Sequence, residues 1–384
     1  MKRLVLVGGG HAHVEVLRRL GLRPVPDVDI TLISPGRNTI YSAMLPGLMA
    51  GHYGWRACHI DLEVLSRFAG ARFLRDIAVG IDLGRKVVHC ADTVEVPYDI
   101  VSLDVGSTPD VLAIGNAGRV ALPRKPVDRL LAAWDGVVQS AGERDLSIAL
   151  VGAGVEGVEL CLAMQYRLAQ RAPHRRARFT LLALDDGILP GQSAGVQRRL
   201  ERILRERNVS VRTRSVVAAV GERELMLEDG DRVAADRAIW IAGQNAPRWL
   251  SESGLRTDPA GLVLTDECLR CLTRADVFAV GDAAIVKGYA EPTSAVRALR
   301  QGPPLAENLR LVLRDQPPRT VEHHAVALQL IGTGDNYAIA SWGALSAEGA
   351  WVWRWKDSID RRFIAQYRVA DRTRPALRSS EARR

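Results

Sequence analysis

Two distant stretches of this chain share one arrangement: a short apolar run, a turn of glycines, then a segment with helical spacing. LVLVGGGHAHVEVL begins at Leu4, and IALVGAGVEGVELCLA begins at Ile148. A continuous apolar run is the mark of a parallel strand buried on both faces. A glycine turn leading from such a strand into a helix N-terminus cradles a phosphate. Two copies constrain the chain to an α/β fold with two Rossmann-like, three-layer nucleotide-binding domains, and they imply two dinucleotides.

The second copy is the complete fingerprint, Gly152-x-Gly154-x-x-Gly157. The first glycine permits the tight turn, the second lets the diphosphate approach the backbone, and the third lets helix and strand pack closely. The first copy departs from the pattern. Gly8, Gly9 and Gly10 open it, but His13 stands where the third glycine belongs. The phosphate approach depends on the first two glycines, so the turn, with Ala12 following it, still reads as a cofactor site. His11 at the helix start is either a phosphate donor or, like His13, a packing residue. An acid is expected at the end of each second strand to hold ribose hydroxyls. Ser34 occupies that place in the first unit. In the second it is Ala183, with Asp185 and Asp186 just beyond, and these acids favour NADH over NADPH.

The chain has 384 residues, enough for two or three domains. Its formal charge of +8 comes with no basic run interleaved with aromatics, so nucleic acid is not an expected partner. No stretch approaches the ~20 apolar residues of a membrane span. MKRLVLV enters glycine too soon for a signal core and reads as the first buried strand. Cysteines 58, 90, 161, 268 and 271 are odd in number and scattered, which suits a reducing compartment. These readings predict a cytoplasmic protein.

The pattern predicts strands at 3–8, 29–34, 98–103, 147–151, 178–184, 238–243 and 276–281. Helices are expected at 11–20, 155–171, 196–207 and 294–314. Residues 86–90 and 94–96 read as a hairpin, and 35–53 as a long functional loop. The order is nucleotide fold, inserted nucleotide fold, return, and a C-terminal piece. The expected limits are 1–116 and 258–320 for the first domain, 117–257 for the second, and 321–384 for the C-terminal segment. The arginine-rich tail after Tyr367 reads as disordered.

Further motifs carry a family resemblance. Tyr98-Asp99 runs on to Gly106-Ser107-x-Pro109, Ile241-Ala242-Gly243 is followed by Ala246-Pro247, and TRADVFAVGD ends at Gly281-Asp282. In this order they resemble the pyridine nucleotide-disulfide oxidoreductase superfamily, from Lys2 to about Arg314. The resemblance implies FAD across residues 8–13, the 34–46 region, Gly106, Gly281-Asp282 and Thr293 at the next helix start. It places NADH or NADPH on 152–159 with Gly243 at the returning joint. The implied activity is an enzyme's: hydride taken from the nicotinamide onto the flavin, and electrons passed to a small acceptor. Within the superfamily the chain resembles the branch of type II NADH dehydrogenases and sulfide:quinone oxidoreductases. GGGHAHVEVL, YSAMLPGLMAGHY, RQGPPLAENL and WRWKDSIDRRF resemble a bacterial group often fused ahead of selenide, water dikinase.

By that resemblance Glu159, two residues past the fingerprint, lies beside flavin and nicotinamide and handles protons; it is therefore the candidate catalytic residue. Its plain reading is an acid favoured by the helix dipole. The early redox cysteine pair of disulfide reductases is missing, and the second glycine loop carries no cysteine. Cys268-x-x-Cys271 leaves open a redox dithiol, half a metal site, or a bystander, and with it a sulfur or selenium compound as substrate. A non-enzymatic NADH-sensing flavoprotein is the other alternative. In AVRALRQG, Ala295, Ala298, Gln301 and Gly302 match the dehydrogenase pattern, whereas Val296 and Arg300 replace two glutamines associated with quinone. The acceptor therefore stands as quinone or another small molecule. Trp351, Trp353 and Trp355 beside Arg354, Lys356, Arg361 and Arg362 suit either a peripheral membrane contact through 351–367 or a helix over the flavin. A homodimer is left open.

Overall fold

The computed structural model describes residues 1–109, 120–289, 295–322 and 328–368. The first apolar run forms strand Lys2–Val7 at the centre of a five-stranded sheet. Val28–Ile33 and Ile100–Leu103 flank it, and Arg72–Leu74 and Val277–Ala279 lie outside them; every pairing is parallel. The alternating directions of one strand's side chains supply both faces of the core. Leu4 and Leu6 pack under helix His11–Leu22 and helix Ala295–Leu313, with Leu17, Leu20, Leu305 and Leu309. Val5 and Val7 face Val88, Tyr98 and Val101 beneath a three-stranded antiparallel meander, Ala78–Asp82, Val87–Cys90 and Glu95–Pro97. The two helices approach closely at Gly302, where a Cβ would stand 2.8 Å from that of Glu15.

The second unit repeats this plan. Leu146–Val151 is central, between Ala177–Leu182 and Arg237–Trp240, with Val209–Arg212 and Ala121–Pro123 outside, all parallel. One face carries helix Val155–Arg171, helix Val127–Ser140 and helix Ala194–Glu206. The last buries Val196, Leu200, Ile203 and Leu204 and turns its arginines outward, as its apolar spacing predicts. The other face carries a meander of Val217–Val220, Glu224–Leu227 and Arg232–Ala234.

The fold also holds elements the sequence reading does not expect, among them helix Val127–Ser140, helix Leu62–Phe68 and strands Arg72–Leu74 and Ala121–Pro123, and three further features differ. Residues 35–53 are not one loop: strand Asn38–Ile40, a 3-10 turn Ser42–Met44 and helix Leu45–Ala50 lie within them. Pro46 fits the first helical turn, and Gly51 ends the helix in the left-handed region at φ 88°. The meander over the first sheet has a third strand beside the expected hairpin. The C-terminal piece is also more than a helix. Gln329–Gly332, Ala338–Trp342 and Leu345–Gly349 form an antiparallel sheet that leads into helix Ala350–Ala365. This segment holds both units. Arg199 and Arg202 bind Glu348 at 2.6 and 2.9 Å. Tyr53 donates to Asp357 at 2.8 Å and Tyr367 to Glu15 at 2.8 Å. Thr293, His323 and His324, and the tail beyond Arg368 lie outside the described residues. Among the described residues no helix is long and apolar enough to cross a membrane.

Candidate functional site

A single cavity of about 2160 Å³ opens where both glycine turns leave their central strands. Ligands of open α/β sheets bind outside the carboxyl ends of the strands, at such turns. Gly8, Gly9, Gly10, His11, Ser34, Gly106 and Asp282 line one side; Gly152, Gly154, Gly157 and Glu159 line another. Leu328–Ile331, Lys356, Ile359 and Asp360 of the C-terminal segment form a third wall.

At the first turn Gly8 has φ 97°, and a Cβ there would meet the Asp104 carbonyl oxygen at 2.2 Å. His13 is fully buried beneath the turn: its Nδ1–H donates to Gly8 O at 2.7 Å, and Nε2 accepts from Ser102 Oγ at 2.8 Å. Burial pushes this imidazole down to about 4, against the Gly8 bond, so it stays neutral. The bulky third position is thus a structural bridge between two strands. His11 does line the cavity; Nε2 accepts the Ser42 N–H at 3.3 Å, and burial lowers it to about 4. Ala12 lies behind the wall, and its N–H, with that of His13, donates to Asp104 Oδ2 at 3.0 and 3.1 Å. Burial lifts the Asp104 carboxyl to about 7; the two N–H groups and Lys125 oppose this, and Asp282 adds to it. Asp282 itself pairs with Lys125 at 2.9 Å. Burial would raise the Asp282 carboxyl, but Lys125, Arg124 and Arg297 outweigh it and hold it below the ordinary range. Gly281, left-handed at φ 64°, stands off the cavity wall and donates its N–H to Gln301 Oε1 at 2.8 Å. Gln301 is thereby committed to the turn.

The second turn needs its glycines for the same reason. Gly152 has φ 117°, and a Cβ on Gly157 would stand 1.9 Å from Gly152 O. Around Gly154 the space is open, as a ligand approach requires. Gly243 is exposed and off the wall, which Ala242 forms instead. Glu156 inside the fingerprint pairs with the buried Arg124 at 2.7 Å. Asp185 lines the cavity, while Asp186 is bound to Arg214.

Glu159 is buried where the second fingerprint helix meets the C-terminal sheet, and its Oε1 accepts the Gly332 N–H at 2.7 Å. Burial raises its carboxyl to about 7, with Lys356 and the Gly332 N–H pulling the other way. Lys356 Nζ donates to Asp360 Oδ2 and Ala43 O, each at 2.7 Å. Burial raises Asp360, opposed first by Lys356 and also by a hydrogen bond with Tyr41. A carboxyl, an ammonium, a second carboxyl and a phenol thus follow one another along the wall. Asp104, Arg124, Lys125, Asp360 and Tyr41 escaped the sequence reading. Lys356 belongs there to the basic cluster of a membrane contact or of a helix over the flavin, with no role of its own. The i, i+4 spacing of Lys356 and Asp360 was the one visible signal.

No cysteine stands among the described lining residues. Cys161 is fully buried and Cys271 nearly so, in the core beside Val277. Among the described residues no group of three or more potential ligands could hold a metal.

The two glycine turns on one cavity, its volume and the open approach at Gly154 fit two dinucleotides, a flavin on the first turn and a nicotinamide on the second. Residues 2–302 match the pyridine nucleotide-disulphide oxidoreductase family. An NADH dehydrogenase-like protein of Mycobacterium tuberculosis is 25% identical over 391 residues, covering 95% of this chain and 94% of its own. The type II NADH:quinone oxidoreductase of Staphylococcus aureus is 21% identical over 349 residues, covering 84% and 85%. Among solved structures, NDH2 of Plasmodium falciparum in complex with NADH superposes with a TM-score of 0.81 at 14% identity, over 96% of this chain and 98% of that one. The sulfide:quinone oxidoreductase of Aquifex aeolicus gives 0.81 at 18% identity, over 96% and 92%. The chain therefore belongs to the pyridine nucleotide-disulphide oxidoreductase family, in its NADH dehydrogenase-like branch, and is an FAD-dependent NAD(P)H oxidoreductase.

Proposed function

We propose that the protein oxidises NADH, in preference to NADPH, and reduces a quinone. The observation that carries this is the single cavity walled by both fingerprints and by the C-terminal segment. FAD, when bound, supplies the chemistry of accepting a hydride and releasing electrons. The residues do the rest. Gly8, Gly9 and Gly10 line the cavity where the flavin's diphosphate is expected, and Ser34 stands where its ribose is expected. At the second turn Gly154 leaves open space for the nicotinamide dinucleotide, and Gly152 and Gly157 let the strand and helix close up beneath it. Asp185 lines the cavity beyond the second turn, where the ribose is expected; a 2′-phosphate there would meet a carboxylate, and the cation Arg214 is already held by Asp186.

Glu159 is assigned to proton handling. A carboxyl held near neutral pH can both take and give a proton, as quinone reduction demands. Lys356, Asp360 and Tyr41 continue this path along the wall, beside the apolar Leu328, Leu330 and Ile359 that suit a quinone ring. The domain division we infer is 1–116 with 258–320, the insert 117–257, and the segment 321–384.

The same segment supports a contact with the inner face of the plasma membrane. Trp351 and Trp355 stack on each other on the helix and are 52% and 41% exposed, and Trp342 and Leu345 at the tip of the sheet are 60% and 66% exposed. Tryptophan beside arginine suits the headgroup layer. Sedimentation with anionic vesicles tests it: wild type pellets and a Trp351→Ser, Trp355→Ser double variant stays in the supernatant. Equal sedimentation removes the membrane reading, and a shift in oligomeric state on substitution would assign the face to a second copy.

The activity is tested by anaerobic titration of the flavin-loaded protein with NADH, then NADPH, followed by a soluble quinone. Rapid loss and quinone-driven recovery of flavin absorbance with NADH is expected. Absence of bleaching by either nucleotide would sink the proposal.

A further inference from the structure

Asp104 is the feature of the first turn that its role as a phosphate cradle does not explain. It closes the apolar strand Ile100–Leu103 and is 4% exposed. A helix N-terminus offers free N–H groups to an anion. Here two of them, on Ala12 and His13, already go to Asp104 Oδ2. The carboxyl lies flat against Gly10, where a Cβ would meet all three of its heavy atoms at 2.3 Å. Its Oδ1 faces Gly281, where a Cβ would stand 2.6 Å away. A carboxyl group thus sits inside the turn that is to receive the dinucleotide's diphosphate.

Among the described residues the cations nearby are engaged with other partners, and only Lys125 acts on it. From helix His11–Leu22 come His11 and His13, both held neutral by burial. From the 281–283 turn comes Asp282, a second acid. From the segment ahead of helix Val127–Ser140 come Lys125, bound to Asp282, and Arg124, bound to Glu156. From helix Ala295–Leu313 comes Arg297, whose Nη2 donates to the carbonyls of Gly281 and Ala284 at 2.7 and 2.8 Å. An ionised Asp104 and a diphosphate would therefore oppose each other in a site of low dielectric, where repulsion between like charges is strong.

We propose that Asp104 is a flavin-binding residue that acts in its protonated form, so that FAD binding takes up a proton. The protonated carboxyl keeps both N–H bonds on one oxygen and presents its O–H to a diphosphate oxygen with the other. The donor lost when Asp104 took the helix N–H groups is thus returned to the ligand. Burial holds the group's titration near neutrality, which makes the proton available over an accessible range. The proposal rests on the flavin reading of the first turn.

The test is the dissociation constant of FAD from the wild-type protein, read from the fluorescence of released flavin between about pH 5.5 and pH 8.5. The expected constant is flat at the acid end and rises about tenfold for each pH unit above the point where the unliganded carboxyl ionises. Asp104→Asn keeps an acceptor for both N–H groups and a donor for the phosphate. It is expected to bind FAD with a constant that no longer depends on pH and stays near the wild type's acid value. A flat wild-type profile overturns the proposal and leaves the flavin reading standing. A slope that survives in Asp104→Asn also overturns it, since another group then carries the proton. Absence of FAD binding at every pH overturns the flavin reading itself. If Asp104→Asn does not fold, the wild-type slope alone decides, with a carboxylic-acid C=O band in the infrared spectrum of the holoprotein as the second readout.

Discussion

Glu159 and His13 show how one side chain changes meaning with its surroundings. At the sequence level Glu159 is an acid near a helix start. In the fold it is a buried carboxyl between two walls, and its pH behaviour follows. Its native value near 7 lies above the unfolded one, so the folded state holds the proton more tightly. The stability this contributes is complete below about pH 4.5 and is lost as pH rises through about 7. Glu159→Gln is therefore expected to be more stable than wild type above pH 7, by on the order of 3 kcal/mol, and to melt higher there, with the gap closing at acid pH. Thermal melts at several pH values check the sign; a gap that widens at low pH would refute it. The same substitution should lower quinone-coupled turnover while leaving nicotinamide affinity nearly unchanged. His13 reads in the sequence as a flaw in a fingerprint. The structure makes it a bridge from Gly8 O to Ser102. Restoring the glycine would remove both bonds and open a void. We expect His13→Gly to destabilise the protein by about 2–4 kcal/mol rather than improve cofactor retention, as chemical denaturation would report. The side chains missed by sequence reasoning share one cause. Asp104, Lys125 and Tyr41 acquire their chemistry from partners far away in the chain, and no local spacing announces those.

Elements with strong local patterns were legible. Apolar runs ending in glycine marked the two central strands, and the 3.6-residue spacing marked helix Ala194–Glu206. Elements whose stability comes from their neighbours were not. Helix Leu45–Ala50 is too short to persist alone; it is held because Leu45 and Met49 enter the core of the second unit. Its end is set by Gly51, where a Cβ would also meet Arg167 Nη1 at 2.5 Å. Gly51→Ala should therefore cost about 1–2 kcal/mol. Gly54→Ala, with open space around it and φ −81°, should cost almost nothing. Paired denaturation curves compare the two, and equal losses would show that the cap does not matter. The strands of the C-terminal sheet escaped because QLIG, AIASW and LSAEG are short and lack clean alternation.

At the scale of the molecule, the C-terminal segment is both a wall and a tie. It binds the second unit through Glu348 and Gly332, and the first through Asp357, Lys356 and Tyr367. Ending the chain before Leu328 should leave both sheets folded but strip one wall from the cavity. Flavin emission should then become quenchable by iodide, whereas in the full chain it should be shielded; equal quenching in both would remove the segment from the flavin's surroundings. The pairing of Val277–Ala279 with Ile100–Leu103 has a consequence for synthesis. Every strand of the second sheet, from Ala121 to Trp240, is made between these two neighbours. A ribosome therefore releases every strand of the second sheet while the first sheet still has a raw edge. Until residue 279 emerges, the edge of Ile100–Leu103 stays open to a wrong partner that the finished fold shuts out.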